Sequence, residues 1–277
     1  MEILKHEGHN VTAAPTTGPN MAGAMARAHA RNGADLVVVA GGDGTINEAA
    51  EGMIGQPVPM AILPVGTANV LATEMRLGRN VEAAARGLST LRERRISVGH
   101  VTCGTGGVSR HFLLMAGVGL DAHVVYRVSA ALKAKTGKFA YWVAGWSLLG
   151  KRLSEFDVTI DGKARKCSFA LLSKVRNYGG DFEIARSVTL LDDQFEVILF
   201  EGGSASNYVK YFAGMALNRL EGMRGVTVVR AHHVTIAEAH GMRTHVQIDG
   251  ELGGVLPAEF RIVPDALTLL VPEAYGK

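Results

Sequence analysis

The chain of 277 residues has few cysteines, no long apolar run and little net charge, and each shortage narrows what it can be. Its two cysteines, Cys103 and Cys167, are far apart and have the spacing of neither a metal knuckle nor a redox pair. They read as small core residues, and their scarcity fits a reducing cytoplasm. No run of about 18 apolar residues occurs, and Lys5, His6, Glu7 and His9 stand where a secretory leader would need an apolar segment. The expectation is a soluble cytoplasmic protein, or one peripheral to the inner membrane face. A net charge of +3 with 20% charged residues creates no whole-molecule field for nucleic acid, which is therefore not expected as a partner. Repeats and low-complexity linkers are also lacking, as are a Walker lysine and a GxGxxG fingerprint.

What the chain does have is 47% hydrophobic residues, enough for one large or two ordinary domains, and a stretch from Asp35 to Met53 around which the rest is organised. A hydrophobic run, Leu36 to Ala40, ends in Gly41-Gly42-Asp43-Gly44. Ile46, Ala49, Ala50 and Met53 then recur at helical spacing, with Thr45 expected to cap the start. Strand, tight loop and helix in this order put a glycine loop at a helix N-terminus, where free N–H groups favour a phosphate. Asp43 would repel that phosphate unless a hard cation such as Mg²⁺ stands between them, or unless it accepts a proton or a ribose hydroxyl.

The same unit recurs nearby. A helix is expected over residues 21–32 and a short strand over Asn10 to Ala14; Pro59 to Leu63 reads as a second buried strand, followed by Pro64-Val65-Gly66-Thr67 and a helix from Ala68 to Met75. Two such units imply a parallel sheet with both loops beyond its carboxyl edge, so Gly41–Thr45 and Gly66–Asn69 should be neighbours. After a helix over Val81 to Leu91 the period changes near Arg95, which sets the expected domains at 1–95 and 96–277. The second half reads as an antiparallel sandwich. Phe156, Val158 and Ile160 alternate with polar residues, Asp161-Gly162 is a hairpin signal, and Cys167 to Leu172 is the expected return strand. Other expected strands are His111–Ala116, Phe195–Phe200, Val226–Ala231, His233–Ala237, His245–Asp249, Phe260–Val263 and Leu267–Val271. Val124 to Leu149 interrupts with a helical pattern bearing Lys133, Lys135, Lys138, Tyr141, Trp142 and Trp146: an interfacial patch for anionic lipid, or a helix packed on the sandwich with a solvated basic face.

Gly-Gly-Asp-Gly-Thr-Ile-Asn-Glu (41–48), Leu-Pro-Val-Gly-Thr-Ala-Asn (63–69) and Asp-Gly-Glu (249–251) together resemble the diacylglycerol kinase catalytic family, especially the bacterial soluble lipid kinases related to sphingosine and ceramide kinases. The resemblance runs from about residue 13 to 272. It implies a parallel-sheet nucleotide-binding domain of the NAD kinase/phosphofructokinase type followed by a β-sandwich lipid-substrate domain, with the active site in the cleft between them and the extreme C-terminus packing back on the first domain. It implies ATP- and Mg²⁺-dependent phosphorylation of a hydroxyl of diacylglycerol or a related lipid at a membrane surface. A homodimer is left open.

The implied roles follow residue by residue. Gly41, Gly42, Gly44 and Thr45 would hold phosphates, Asp43 would orient Mg²⁺, and Gly66, Thr67 and Asn69 would bind the nucleotide from the second loop. Asn47 and Glu48 face away from the apolar stripe and serve either the nucleotide and metal shell or a structural cap. Thr17 matches a position near the nucleotide, with helix capping as its alternative. Asp249 is the implied general base and Glu251 its helper or a metal ligand; an ordinary Asp-Gly turn is the alternative. Asp121 is a weaker candidate, a loop support as readily as a site residue. The start departs from the family's usual strand and Asn-Pro-x-x-Gly loop, so that segment is expected to be missing. Val70, Arg186, Ser187 and Gln194 also differ, and with them the surroundings of Asp192 and Asp193, where some members bind a structural Mg²⁺; no metal is expected there. Two other readings stand beside the lipid kinase: an NAD kinase-like enzyme, and a catalytically impaired nucleotide- or lipid-binding protein. The ten histidines show no metal spacing, so surface or sandwich positions are expected for them, including His232-His233 and His240.

Overall fold

The computed structural model describes residues 1–104, 107–119, 154–178, 182–204, 207, 210, 211, 214, 219–237 and 243–277. The expected helix at 124–149 and its lysines and tryptophans lie outside the described residues, as do Asp121, Gly179, Gly180 and His240. The helices are α1 (Glu2–His6), α2 (Ala22–Arg31), α3 (Asp43–Met53), α4 (Val70–Glu74) and α5 (Val81–Arg86). The strands are β1 (Val37–Gly41), β2 (Met60–Pro64), β3 (Arg92–Cys103), β4 (Ser109–Phe112), β5 (Met115–Gly119), β6 (Phe156–Ile160), β7 (Lys163–Cys167) and β8 (Phe169–Ser173). They continue as β9 (Asn177–Tyr178), β10 (Phe182–Glu183), β11 (Phe195–Phe200), β12 (Val226–Ala231), β13 (His233–Ile236), β14 (His245–Ile248), β15 (Glu251–Val255) and β16 (Ala258–Val271). Two compact units result: Met1–Val98 with Pro264–Lys277, and Gly99–Val263.

In the first unit β1 and β2 pair in parallel, Val37 with Met60 through Gly41 with Pro64, and Leu269 of β16 pairs in parallel with Met60. The apolar stripe of α3 does what its spacing predicts: Ile46, Ala49, Ala50 and Met53 are all buried. Asn47, off that stripe, is buried too, and α2 packs closely on α3. Glycines permit that approach. A Cβ on Gly52 would lie 1.9 Å from the Gly23 carbonyl oxygen, and one on Gly23 would lie 2.5 Å from that of Glu48. Gly52→Ala must therefore push two helix backbones apart and should cost about 1–3 kcal/mol, read as a lower thermal midpoint.

Several boundaries differ from the sequence reading. Residues 10–14 form no strand; most of this stretch and the residues up to Thr17 are exposed, and Pro15 lacks a donor for any ladder. The helix expected from Ala68 shortens to α4, because Asn69 takes a left-handed conformation (φ 46°) just before it. The expected helix Val81–Leu91 ends at Arg86, with a single 3₁₀ turn at Leu88–Thr90. The chain's end is tied down by Tyr275, whose hydroxyl donates to the buried Glu74 carboxylate of α4 at 2.8 Å. Tyr275→Phe removes a donor from that carboxylate, and the expected loss is about 1–3 kcal/mol, read as a lower urea midpoint.

The second unit holds an antiparallel sheet in the order β12-β11-β8-β5-β14-β15, facing a second layer that includes β3–β4, β6–β7, β13 and the start of β16. Phe112, Phe156, Val158, Leu172, Phe195, Val197, Val234, Ile248 and Phe260 from both layers form one core, so the fold is a β-sandwich. Phe112 and Phe195 stack across it with ring centroids 5.6 Å apart. The Asp161-Gly162 turn forms with both residues at positive φ, as a two-residue hairpin requires, and pairs Ile160 with Lys163. The return strand is therefore Lys163–Cys167 rather than Cys167–Leu172, since the chain changes layers at Ser168 and the expected segment straddled that corner. Both cysteines are buried free thiols, and burial pushes the Cys103 thiol up to about 11 and that of Cys167 higher still.

Candidate active site

The first unit gathers the two glycine loops. β1 and β2 deliver Gly41 and Pro64 side by side, and the Val65 N–H donates to the Gly41 carbonyl at 3.2 Å. Beyond them the backbones of Gly42 and Gly66 touch: a Cβ on Gly66 would lie 2.5 Å from the Gly42 Cα. Helix α3 starts at Asp43 with Gly42 as its N-cap, so Thr45 is inside the first turn and does not cap it. The N–H groups of its first turn have no partner four residues back, which leaves donors at Gly44 and Thr45 beside Gly66. Asp43 joins the loops, its Oδ1 accepting the Leu71 N–H at the start of α4 at 3.3 Å.

Asn69 donates from Nδ2 to the Gly66 carbonyl at 2.8 Å, while its buried Oδ1 has no protein partner among the described residues. A buried acceptor left open beside a bare glycine backbone fits a ligand that supplies a donor, as a nucleotide does. The remaining candidates divide. Thr67 is exposed at the loop tip. Glu48 accepts the Ala22 N–H at 3.3 Å and so serves the start of α2. Thr17 lies exposed outside any helix, its hydroxyl 3.2 Å from the Met21 sulfur, and Met21 is the residue at the α2 N-cap.

The second unit presents Asp249. Asp249-Gly250 forms a two-residue hairpin turn between β14 and β15, with φ of 49° and 84°. The turn reading is thus correct as geometry, yet the carboxylate does more than a turn needs. Its Oδ1 accepts the N–H groups of Leu114 and Met115, and Oδ2 that of Leu113, each at 2.9 Å. This grip also explains why no single strand runs through His111–Ala116: the peptides between β4 and β5 turn their N–H groups to Asp249. A carboxylate has about four acceptor sites, and among the described residues one is left without a partner, on Oδ2. Burial pushes the Asp249 carboxyl up to about 6, against the pull of the three N–H donors and the Arg110 charge. Such a group is ionised at neutral pH and close to the poise of a general base.

Glu251 is exposed and pairs with Arg110 at 3.3 Å. Arg110 and the three backbone donors were not visible in the sequence, because they lie about 135 residues from Asp249. Elsewhere Asp192 accepts from the Thr189 N–H and hydroxyl and from Arg230. Burial opposes its charge, but Thr189 and Arg230 outweigh that and hold its carboxyl below the usual range. His233 lies on the exposed face against Glu259, and His232 beside Asp193. Among the described residues no group of three or more His, Cys, Asp or Glu forms a ready metal cage. Mg²⁺ does not need one, since it keeps waters and takes one or two carboxylates with substrate phosphates; Asp43 retains an Oδ2 without a protein partner among the described residues.

A glycine-loop α/β unit joined to a sandwich that offers a poised carboxylate defines a class of two-unit nucleotide-handling folds. Comparison with known proteins narrows it. Residues 1–101 match the family model described as the diacylglycerol kinase catalytic domain, and residues 115–271 match the YegS C-terminal NAD kinase beta sandwich-like domain. A diacylglycerol kinase of Bacillus subtilis is 27% identical over 272 residues, covering 94% of this chain and 85% of that one. One of Mycobacterium tuberculosis is 27% identical over 274 residues, covering 97% and 87%. The crystal structure of a diacylglycerol kinase from Bacillus anthracis superposes with a TM-score of 0.76 at 22% identity, covering 94% of this chain and 85% of that one, and shares the fold. The chain belongs to the diacylglycerol kinase catalytic family, a family of lipid kinases. No helix among the described residues is long and apolar enough to cross a membrane.

Proposed function

We propose that the protein transfers the γ-phosphoryl group of ATP to a hydroxyl of diacylglycerol or a related lipid at a membrane surface, with Mg²⁺. The observation that carries this reading is Asp249: a half-buried carboxylate aimed by three backbone N–H groups, with one lone pair unpartnered among the described residues and its carboxyl pushed up to about 6. In the proposed step the lipid hydroxyl gives its proton to Oδ2, its oxygen bonds to the γ-phosphorus, and the bond to the bridging β,γ-oxygen breaks so that ADP leaves with the electron pair. The N–H groups of Gly42, Gly44 and Thr45 hold phosphate oxygens, and Asn69 Oδ1 accepts a donor of the nucleotide. Mg²⁺, when bound, supplies charge neutralisation, with Asp43 and then Glu251 as the carboxylates to hold it. Support comes from the family and from relatives named diacylglycerol kinase.

Transfer of labelled phosphate from ATP to lipid in mixed micelles tests the reading, with Asp249→Asn as control. Equal activity of the two proteins would sink it. The NAD kinase-like sandwich match favours one other acceptor, NAD, and labelled NAD formed without lipid would decide for it.

A further inference from the structure

The end of the sandwich that presents Asp249 also holds a buried ammonium group. Lys174 directly follows β8 and has no exposed surface. Its backbone N–H donates to the Leu114 carbonyl at 2.8 Å, and its Nζ donates to the Asp192 carbonyl oxygen. The Leu114–Met115 peptide is therefore gripped on both sides, its oxygen accepting from the Lys174 N–H and its N–H donating to Asp249 Oδ1. The Asp192 turn is itself closed, by Thr189 at 2.7 and 2.8 Å and by Arg230. A chain of contacts thus runs from Arg230 through Asp192, Lys174 and the Leu114–Met115 peptide to the carboxylate.

Burying an ammonium group is costly, and methionine would fill similar space without the charge. Burial lowers the Lys174 amine to about 8, while Asp192 and Asp193 work the other way and Arg230 adds to the fall. What the side chain fixes is given by its contacts. β8 ends at Ser173, and residue 174 sits in a bend outside the sheet ladder. The Nζ contact anchors that bend to the 189–192 turn.

We propose that Lys174 is a positioning residue for Asp249: by tying its bend to the Asp192 carbonyl, it sets the Leu114–Met115 peptide and hence the direction of the Met115 N–H that aims the carboxylate. The catalytic meaning rests on reading Asp249 as the base; the coupling itself does not. Lys174→Met should weaken the Met115 N–H bond to Asp249. The probe is hydrogen exchange of the Met115 amide, followed by NMR on nitrogen-labelled protein and compared with the amides of β11. Exchange about tenfold faster at Met115, beyond any change in β11, is expected for Lys174→Met. Lys174→Gln, which keeps a donor but is one atom shorter, should speed it less, and it carries the test if the methionine variant does not fold. In the micelle assay kcat should fall about tenfold at an unchanged KM for lipid. A folded variant that melts earlier but keeps the wild-type Met115 exchange relative to β11 would overturn the proposal. If the wild type transfers no phosphate, the function reading fails while the exchange measurement still decides the coupling.

Discussion

Asp249→Asn should lower kcat for phosphate transfer to lipid by about 10³-fold, within the range of a lost general base, with little change in the KM for ATP. The amide can still accept from Leu114 and Met115 through one oxygen, so the turn survives. What it loses is the carboxylate oxygen that faces Leu113, the proposed acceptor of the proton. The pH profile gives a second check. A base must be ionised, and the Asp249 carboxyl is pushed up to about 6, so kcat/KM should rise through pH 6 and level off above it. Stability should run the other way. The folded-state pKa exceeds the ordinary 3.8, so the fold binds this proton more tightly than the unfolded chain does. That contribution is fully present below 3.8 and is lost as the pH rises through about 6. Thermal melts and initial rates measured across pH 4–8 should therefore move in opposite directions near pH 6, and the Asp249→Asn protein should lose both features.

Gly66→Ala should raise the dissociation constant for ATP roughly 10- to 100-fold, corresponding to about 1–3 kcal/mol of forced displacement. The new methyl would stand 2.5 Å from the Gly42 Cα and 2.8 Å from Asn69 Oδ1, so it strikes both the loop backbone and the open acceptor. Gly42→Ala offers the contrast. Its Cβ would meet only the Gly66 Cα, at 3.3 Å, a contact relieved by a few tenths of an ångström. The order of effects, Gly66→Ala well above Gly42→Ala, is the discriminating result, measured by calorimetric titration with ATP beside a thermal melt. Wild-type affinity in Gly66→Ala, or the reverse order, would contradict the loop contact as the nucleotide seat.

How much of this was legible depends on the range of the forces involved. Phe156–Ile160, Phe195–Phe200 and Val226–Ala231 form strands with the bounds their alternation or apolar runs indicate, because a two-residue period is a local signal. The hairpin at Asp161-Gly162 is local as well, since both residues must adopt positive φ. Thr45 failed as a cap for an equally local reason that the pattern hides: Gly42 takes the N-cap position three residues earlier, and the backbone, not a side chain, decides where α3 begins. Helix α1 has too few residues to show a period. The helix–helix approach through Gly23 and Gly52 is one that periodicity within α3 cannot reveal. Lys174 reads as one more surface cation until the fold encloses it.

The sequence by itself determined the class: two glycine loops after apolar runs, a β-rich second half, and an Asp-Gly-Glu far downstream, all carried by spacing and residue type. Only the tertiary structure decided what the Asp-Gly-Glu aspartate is. Its three backbone donors come from a strand junction about 135 residues away, and its raised pKa comes from burial, which is a property of the packed unit and of no segment within it. The same holds for the second glycine loop, whose need for a bare Cα at Gly66 exists only because β1 and β2 run in parallel and bring Gly42 against it.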